Sequence, residues 1–530
     1  MSASKRILIT DKISGKALEI FGADPDLEAD YRPGLSGDDL SAAVAEASAL
    51  VVRSQTKVTA GLIRAATRLK VIGRAGTGVD NVDVETATRA GVVVMNVPGG
   101  NTLSAAEHTF SLMLALARKI PGAARSMAEG RWERGKFLGT ELYGKTLGVL
   151  GVGRIGREVA RRARAFGMEV IGYDPFLPEE MIDKVGVELV ELPEILRRAD
   201  FITVHTPMTP ATRHLIGAEQ IAQCKPGVRI VNCARGGIVD EQAVASALEE
   251  GKIGGAAFDV YEKEPPGDLP FRDHPDVICT PHLAASTEEA QERVAVEIAE
   301  QIRDYLRDGT VRNAVNLATL DPRTEEKARP FLGLAWKLGK LHAQLMDGNP
   351  REIVVEIGGD VPEEAAAPLS VAVLRGFLES HLSGPVNEVN AALIAGERGI
   401  RLREIRSAAA VDFTNLITVA AESSAASRRI SGTLFGRNLP RIVRLDGYHF
   451  DALPEGKLLF VSNDDRPGII GLIGTTMGRN GINIAYMNVG RDRSGGQAIA
   501  ILNLDSEVPE PALRELRAAP GITWVRQASL

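Results

Sequence analysis

The sequence predicts an α/β chain: two doubly wound parallel-sheet domains, then an α+β segment, then a small ferredoxin-like βαββαβ unit. Three observations carry that prediction. Short apolar runs alternate with helical stretches from residue 5 to about residue 310, the pattern of parallel strands joined by crossover helices. The 530 residues are about three to four times a usual domain, so a single compact domain is ruled out. The stretch from Lys457 onward reads strand, helix, strand, strand, helix, strand.

The first unit takes its strands from ILIT at 7–10, ALVVR at 49–53, LKVIGR at 69–74 and GVVVMNV at 91–97. Helical segments such as Asp38–Ser48 and Ala60–Thr67 lie between them. A long apolar helix is expected over Leu103–Ile120, with a face suited to burial against a partner. The second series reads TLGVLG at 146–151, MEVIGYD at 168–174, FITVH at 201–205, VRIVNC at 228–233, AAFDV at 256–260 and VICT at 277–280. After Ser286 a helix running to about Arg307 returns the chain to the first unit. The charged, proline-bounded segment Asp321–Pro330 reads as a linker. From about Gly333 to Ala452 strands and helices mix without a phosphate loop. The expected division is therefore 1–100 with 286–312, then 101–285, then 318–452, then 457–530.

Composition narrows the function classes. Hydrophobic residues make up 44% and charged residues 25%, the balance of an ordinary globular protein. No apolar run approaches the ~18 residues of a membrane span, and the opening MSASKRILIT lacks a secretory h-region. Three cysteines, Cys224, Cys233 and Cys279, cannot form a disulfide framework, which points to a reducing cytoplasm. A net charge of −7 argues against nucleic acid or anionic membrane as partner. No metal-ligand pattern is read, so no metal is expected.

The most informative local pattern is Gly151-Val152-Gly153-Arg154-Ile155-Gly156. Glycines at this spacing mean little alone, but here they end a strand and open the helix expected over Arg154–Phe166. Gly151 permits the tight turn, Gly153 lets backbone approach a pyrophosphate, and Gly156 lets helix pack on strand. The helix N-terminus offers its free N–H groups to phosphates. Asp174 ends the next strand, where a carboxylate accepts from ribose hydroxyls and repels a 2′-phosphate. That favours NAD over NADP; the rival is a glycine turn with a surface aspartate.

Later strand ends supply the rest of a hydride-transfer site, because ligands of open α/β sheets sit beyond the carboxyl ends of strands. Arg235 offers a fork for a carboxylate, His282 an acid/base near neutral pH, and Glu264 an anion to keep it basic. His108 is expected to pack or cap within its apolar helix, and His205 to sit at a turn near the cofactor. His214, His274, His342, His381 and His449 have no chemical company in the sequence. Cys233 reads as packing at the cofactor site rather than as a nucleophile. In the first unit, Arg53-Ser54 and Gly73-Arg74-Ala75-Gly76 fall where strands end. These arginines suit an anion or are solvated loop residues, and the residues alone leave both open. The Asn101 amide could meet a carboxylate or phosphate.

The segments GRAGTGVDNVD (73–83), GVGRIG (151–156), YDP (173–175), VHTPMTP (204–210), NCARGGIVDE (232–241), FDVYEKEP (258–265) and TPHLAAST (280–287) together resemble the D-2-hydroxyacid dehydrogenases. Within them the chain is similar to the long-form, phosphoglycerate-oxidising branch. GPVNEVNAALIAGERGI (384–400) resembles the intervening domain of that branch, and DRPGIIGLIGTTMGRNGINIA (465–485) an ACT domain. The resemblance implies a flavodoxin-like substrate-binding domain, a Rossmann-type nucleotide-binding domain, and catalytic roles for Arg235, Glu264 and His282. It implies NAD contacts at Arg154, Ile155, Asp174, Thr206, Cys233, Ala234, Arg235, Asp259, His282 and Ala285. Substrate contacts are implied at Arg53, Ser54, Arg74, Ala75, Gly76, Asn101 and Arg235, and regulatory ones at Asn463, Asp465 and Asn483. Asn463 stands where serine-sensing members often carry a histidine.

The expected activity is oxidation of 3-phospho-D-glycerate to 3-phosphohydroxypyruvate with NAD, the entry to L-serine synthesis, with side reduction of 2-oxoglutarate. L-Serine is the expected effector, and a homo-oligomer, dimer or tetramer, the expected assembly. The rivals are another D-2-hydroxyacid dehydrogenase, such as a glyoxylate reductase, and a non-enzymatic NAD-sensing interaction protein.

Overall fold

The computed structural model describes residues 4–177, 186–382, 384–407, 412–423, 426–436 and 438–530. Two parallel sheets come first. One holds β1 (Lys5–Ile9), β2 (Leu27–Tyr31), β3 (Ala49–Val52), β4 (Val71–Arg74) and β5 (Val93–Met95), in the order β2-β1-β3-β4-β5. Ile7 and Ile9 face one apolar cluster and Leu8 the other. A strand covered by helices on both faces must read as an unbroken apolar run. Edge strand β2 buries only Leu27, so its sequence gives no such run and no strand was expected there.

The second sheet holds β6 (Thr146–Leu150), β7 (Glu169–Tyr173), β8 (Glu188–Leu189), β9 (Phe201–Val204), β10 (Val228–Asn232), β11 (Ile253–Phe258) and β12 (Val277–Cys279). Its order is β12-β11-β10-β9-β6-β7-β8, with every pairing parallel. The chain reverses its direction of travel between β6 and β9, which opens a crevice at their carboxyl ends.

The helix Thr102–Ala117 does not reach Ile120, because Lys119 adopts a left-handed φ of 53° before a second helix, Ile120–Ala128. Its apolar residues Ala106, Phe110, Met113 and Leu116 pack on Leu147, Val149, Phe201 and Ala257 of its own sheet. That face is spent inside the chain, while Leu103 and Ile120 stay 44% and 52% exposed. The helix Glu288–Asp308 starts at the Thr287 cap and packs Val294, Ile298 and Ile302 under the first sheet. Gly73 is needed beneath it: a Cβ there would lie 2.9 Å from Ile298 Cγ1.

Asp321–Pro330 is not a linker. Asp321 accepts from Arg323 N and Thr324 N and caps a helix, Pro322–Leu345, that carries Pro330 inside it. Pro322 opens this helix, in the first turn, where a missing N–H has no intrahelical partner anyway. Leu334, Leu338, Leu341 and Leu345 then recur at helical spacing and are buried. This helix and Ala366–Glu379 cross closely at Gly339 and Gly376, where a Cβ would meet neighbouring backbone at 2.0 and 2.1 Å. They lie on a mixed sheet of β13 (Pro350–Gly359), β14 (Arg401–Ser407), β15 (Asn415–Ser423), β16 (Ser427–Phe435), β17 (Leu439–Leu445) and β18 (Tyr448–Ala452), in the order β14-β13-β15-β16-β17-β18.

The last unit has β19 (Lys457–Asp464), β20 (Ile484–Arg491), β21 (Gln497–Leu504) and β22 (Ile522–Ser529), antiparallel in the order β20-β21-β19-β22. Helices Ile469–Arg479 and Glu510–Ala518 complete the expected βαββαβ order. Leu458, Phe460, Ile499, Ile501 and Ala528 join one apolar cluster with Leu338, Leu345 and Ile430 of the preceding unit. Trp524 packs on it, with the Arg428 guanidinium 5.0 Å from its ring centre. That unit is tied in turn to the first sheet: Asn387 Nδ2 donates to Gly91 O at 2.8 Å, and Arg89 pairs with Glu397 at 2.8 Å. Among the described residues, no helix is long and apolar enough to cross a membrane.

Candidate active site

The carboxyl ends of the two parallel sheets face each other across a cleft of about 1110 Å³, lined among others by Arg53, Arg74, Asn101, Arg235, Glu264 and His282. One wall of the second sheet carries the glycine loop. Gly151 has φ 90°, and a Cβ on it would lie 2.8 Å from the His205 carbonyl. Gly153 caps the helix Arg154–Ala165, and a Cβ there would enter open space. At Gly156 a Cβ would come within 2.1 Å of Gly151 O. Turn, open cradle and close packing thus fall on the three glycines as the spacing predicts.

Asp174 follows directly on β7. Its Oδ2 accepts from Val152 N at 2.9 Å and its Oδ1 from Phe176 N at 3.1 Å, so it braces the glycine turn. Thr206 Oγ1 is buried without a partner among the described residues. An open cradle at a helix N-terminus beside an orphan hydroxyl fits a dinucleotide phosphate. Arg154 and Ile155 open that helix, and Ala285 lines the cleft. Cys233 is 7% exposed, and burial pushes its thiol up to about 12, which disfavours the thiolate at neutral pH.

His282 and Glu264 meet: Nδ1 lies 2.8 Å from Oε2. That hydrogen bond raises the imidazole above its ordinary value against the opposing effect of burial. Burial alone would raise the Glu264 carboxyl; the His282 hydrogen bond and charge and the Tyr261 N–H at 3.1 Å overcome it and hold it low. His282 sits at φ 54°, a costly conformation for a side-chain-bearing residue. The loop around it explains how it is kept there. His282 N donates to Asp259 O at 2.9 Å. The fully buried Asp259 carboxylate accepts from Leu283 N, Ala284 N and Thr280 Oγ1 at 2.7, 2.9 and 2.6 Å. His108 Nε2 lies 3.1 Å from the same carboxylate and 3.2 Å from Thr280 Oγ1. His108 is thus a support of the site rather than a packing or capping residue.

Arg235 follows β10, and Asn232 clamps its turn by accepting from Ala234 N and donating to Arg235 O. From the first sheet, the loop after β3 presents Arg53 and Ser54. Asp11, 2% exposed, fixes that loop through Arg53 N at 2.6 Å and Thr56 Oγ1 at 2.6 Å. Asn81 Nδ2 donates to the Arg53 and Thr56 carbonyls, both at 2.7 Å. The Arg74 guanidinium lies against Gly76 at φ 153°, beside Ala75. Burial and then the nearby Arg235 push its pKa down to about 10, and its Nε has no partner among the described residues. Asn101 accepts from Thr77 Oγ1 at 2.7 Å, which leaves its amide N–H₂ as the donor for the cleft. Lys57 also lines the cleft; nothing local in the sequence marked it, Asp11, Asn81 or His108.

His205 adjoins the glycine loop through its carbonyl; its side chain is half-buried, Nε2 lies 3.0 Å from Thr203 Oγ1, and burial lowers its pKa to about 4. Other expected features lie apart. His342 is buried on Val419 O at 2.8 Å, whereas His214 bridges toward Glu262 at 2.9 Å. Asn463 is 3% exposed and donates to Asp464 O at 2.7 Å, and its Oδ1 has no partner among the described residues. Asp465 accepts from Gly495 N at 3.1 Å, and Asn483 donates to Asp505 at 2.9 Å.

Residues 110–284 match the model of the D-isomer specific 2-hydroxyacid dehydrogenase NAD binding domain. Residues 327–446 match the D-3-phosphoglycerate dehydrogenase intervening domain and 457–521 the ACT domain. A D-3-phosphoglycerate dehydrogenase of Methanocaldococcus jannaschii is 45% identical over 526 residues, 99% of this chain and all of that one. The chain belongs to the D-3-phosphoglycerate dehydrogenase family. The family's Bacillus subtilis member is 42% identical over 99% of each chain. Among solved structures, the Thermus thermophilus TT0316 protein aligns with TM-score 0.54 and 34% identity over 58% of this chain and 99% of its own. A D-lactate dehydrogenase of Aquifex aeolicus, complexed with NAD and lactic acid, aligns with TM-score 0.51 and 28% identity over 57% of this chain and 96% of its own. Those solved chains span little more than half of this one, a share consistent with the two-sheet dehydrogenase unit that precedes the intervening and ACT domains.

Proposed function

We propose that the chain oxidises 3-phospho-D-glycerate to 3-phosphohydroxypyruvate with NAD, the entry step of L-serine synthesis. The observation that carries this reading is the 2.8 Å His282–Glu264 pair in a cleft shared with Arg53, Arg74 and Arg235. A D-2-hydroxy acid bearing a phosphate needs both a base for its hydroxyl and several cations for its two anionic ends. Arg235 holds the C1 carboxylate as a fork, while Arg53 and Arg74 face the phosphate, with Ser54, Ala75, Gly76 and Asn101 as neighbouring contacts. His282 Nε2 takes the hydroxyl proton, and Glu264 stabilises the resulting imidazolium. The residues that would hold the cofactor are Gly151, Gly153, Arg154, Ile155, Gly156, Asp174, Thr206, Cys233, Ala234, Asp259 and Ala285. When bound, NAD accepts the hydride released from C2.

The division into residues 1–100 with 286–312, 101–285, 318–452 and 457–530 follows from the same reading. So do an L-serine effector site around Asn463, Asp465 and Asn483 and a homo-oligomeric assembly. The test is a steady-state assay with 3-phosphoglycerate and NAD, run with and without L-serine, with glyoxylate and 2-oxoglutarate reduction measured beside it. His282→Ala is expected to lower kcat by at least about 100-fold, the usual scale of a lost general base, while NAD binding persists. Near-normal turnover in that variant, or a clear preference for glyoxylate, sinks the assignment.

A further inference from the structure

Arg235 is not held by its own domain alone. Its Nη1 donates to Ala234 O at 2.7 Å, within the turn after β10. Its Nε donates to Asp80 Oδ2 at 3.1 Å, and Asp80 belongs to the loop after β4, on the opposite side of the cleft. Nη2 passes over Gly78 so closely that a Cβ there would sit 2.1 Å from it. A guanidinium has five N–H donors in a fixed plane. These contacts take the Nε hydrogen and one Nη1 hydrogen and leave one Nη1 hydrogen and both Nη2 hydrogens. The plane is therefore set from two directions before any ligand arrives.

We propose that Asp80 is a positioning residue that aims the Arg235 fork at the substrate carboxylate and joins the two sheet domains across the cleft. The proposal rests on the cleft being the oxidation site of a D-2-hydroxy acid. Stability is not its purpose. The Asp80 side chain is 73% exposed and that of Arg235 34%, and ion pairs this exposed contribute little to folding. What an exposed carboxylate can still do is restrict a long side chain to one orientation, so that less freedom is lost when substrate binds. Asp80 also offsets charge where guanidiniums crowd: Arg74, already weakened by burial and by Arg235, is supported by the Asp80 charge.

The experiment uses the full chain and four variants: Asp80→Ala, Asp80→Glu, Arg235→Lys and the double Asp80→Ala/Arg235→Lys. Asp80→Ala is expected to raise KM for 3-phosphoglycerate about tenfold, the scale of one charge-assisted hydrogen bond, with kcat changed less than about threefold. NAD affinity and Tm stay at wild-type values. Asp80→Glu restores KM to within about threefold. In the Arg235→Lys background the same Asp80→Ala step changes KM less than about threefold, because coupled residues are not additive. A wild-type KM in Asp80→Ala overturns the proposal, and so does a full tenfold effect in both backgrounds. If Asp80→Ala lowers Tm, Asp80→Asn, close in shape but uncharged, must reproduce the KM change at wild-type Tm or the proposal falls. The wild-type assay separates this from the functional reading. A wild type that ignores 3-phosphoglycerate but oxidises another D-2-hydroxy acid moves the same KM comparison to that acid, since only its carboxylate enters the argument. A wild type that oxidises none overturns both.

Discussion

Glu264 Oε2 lies 2.8 Å from His282 Nδ1, so the second ring nitrogen, Nε2, is the one left to exchange protons in the cleft. The hydrogen bond raises the imidazole, with burial opposing it. A base must be unprotonated to accept a proton. Oxidation is therefore expected to be complete above the raised His282 value and to fall as pH drops through it. The midpoint lies above the ordinary imidazole value of about 6.5. Reduction shows the reverse dependence. Glu264→Gln should move the midpoint of the kcat/KM profile downward. An unmoved midpoint would detach Glu264 from the proton step. The same raised value contributes to stability below the unfolded imidazole's pKa and fades as pH rises through the folded one.

The glycine loop gives a second prediction. A methyl group at Gly156 would meet Gly151 O at 2.1 Å, and backbone cannot yield as a side chain tip can. Gly156→Ala should cost about 1–3 kcal/mol by overpacking and weaken NAD binding together with Tm. Gly153→Ala, where a Cβ would enter open space, should lower NAD affinity while leaving Tm within about 2 °C, because surface changes cost little. Equal loss of Tm in both variants would refute this assignment of roles.

Asp11 is a third target. Its carboxylate fixes Arg53 N and Thr56 from a nearly closed site. Asp11→Ala leaves those donors unpaired and should cost about 1–3 kcal/mol, while raising KM for 3-phosphoglycerate. Denaturant unfolding and kinetics measure the two effects separately. A stability loss with unchanged KM would show that Arg53 does not depend on this brace.

His108 supports Asp259, which holds the His282 loop. His108→Leu should lower kcat about tenfold by loosening that loop, the scale of one lost hydrogen bond to a charged group. His108→Gln, which can still donate, should recover most of it. Equal rates in both variants would reduce His108 to a packing residue.

Local features of the fold and site were legible because each has a local physical cause. Ile7, Leu8 and Ile9 form an apolar run because both sheet faces are covered, and Gly151 and Gly156 stand where a Cβ would meet backbone, with Gly153 between them facing open space. His282, Glu264 and Arg235 were readable from residue chemistry at strand ends. Asp11, Asp80 and His108 were not, since their partners stand 42, 155 and 151 residues away and follow no helical or strand period. β2 was missed because an edge strand buries one side chain, Leu27. Asp321 and Pro322 misled because charge and proline mark linkers as well as helix starts, and the buried Leu334 and Leu338 that settle the matter come later.

The apolar cluster that runs from Leu338 and Ile430 to Phe460 and Ala528 makes the last two units a single inheritable part. Cutting the chain near residue 455 would split a core and leave two greasy faces, whereas a cut near residue 319 passes ahead of the Asp321 cap. Deleting or moving residues 457–530 alone is therefore expected to uncover an apolar face on the unit left behind. Gains and losses of regulation in such enzymes are then expected to involve both units together. Residues 453–530 alone would keep the core of Val461, Ile473 and Leu516 but expose Leu458, Phe460 and Ile501.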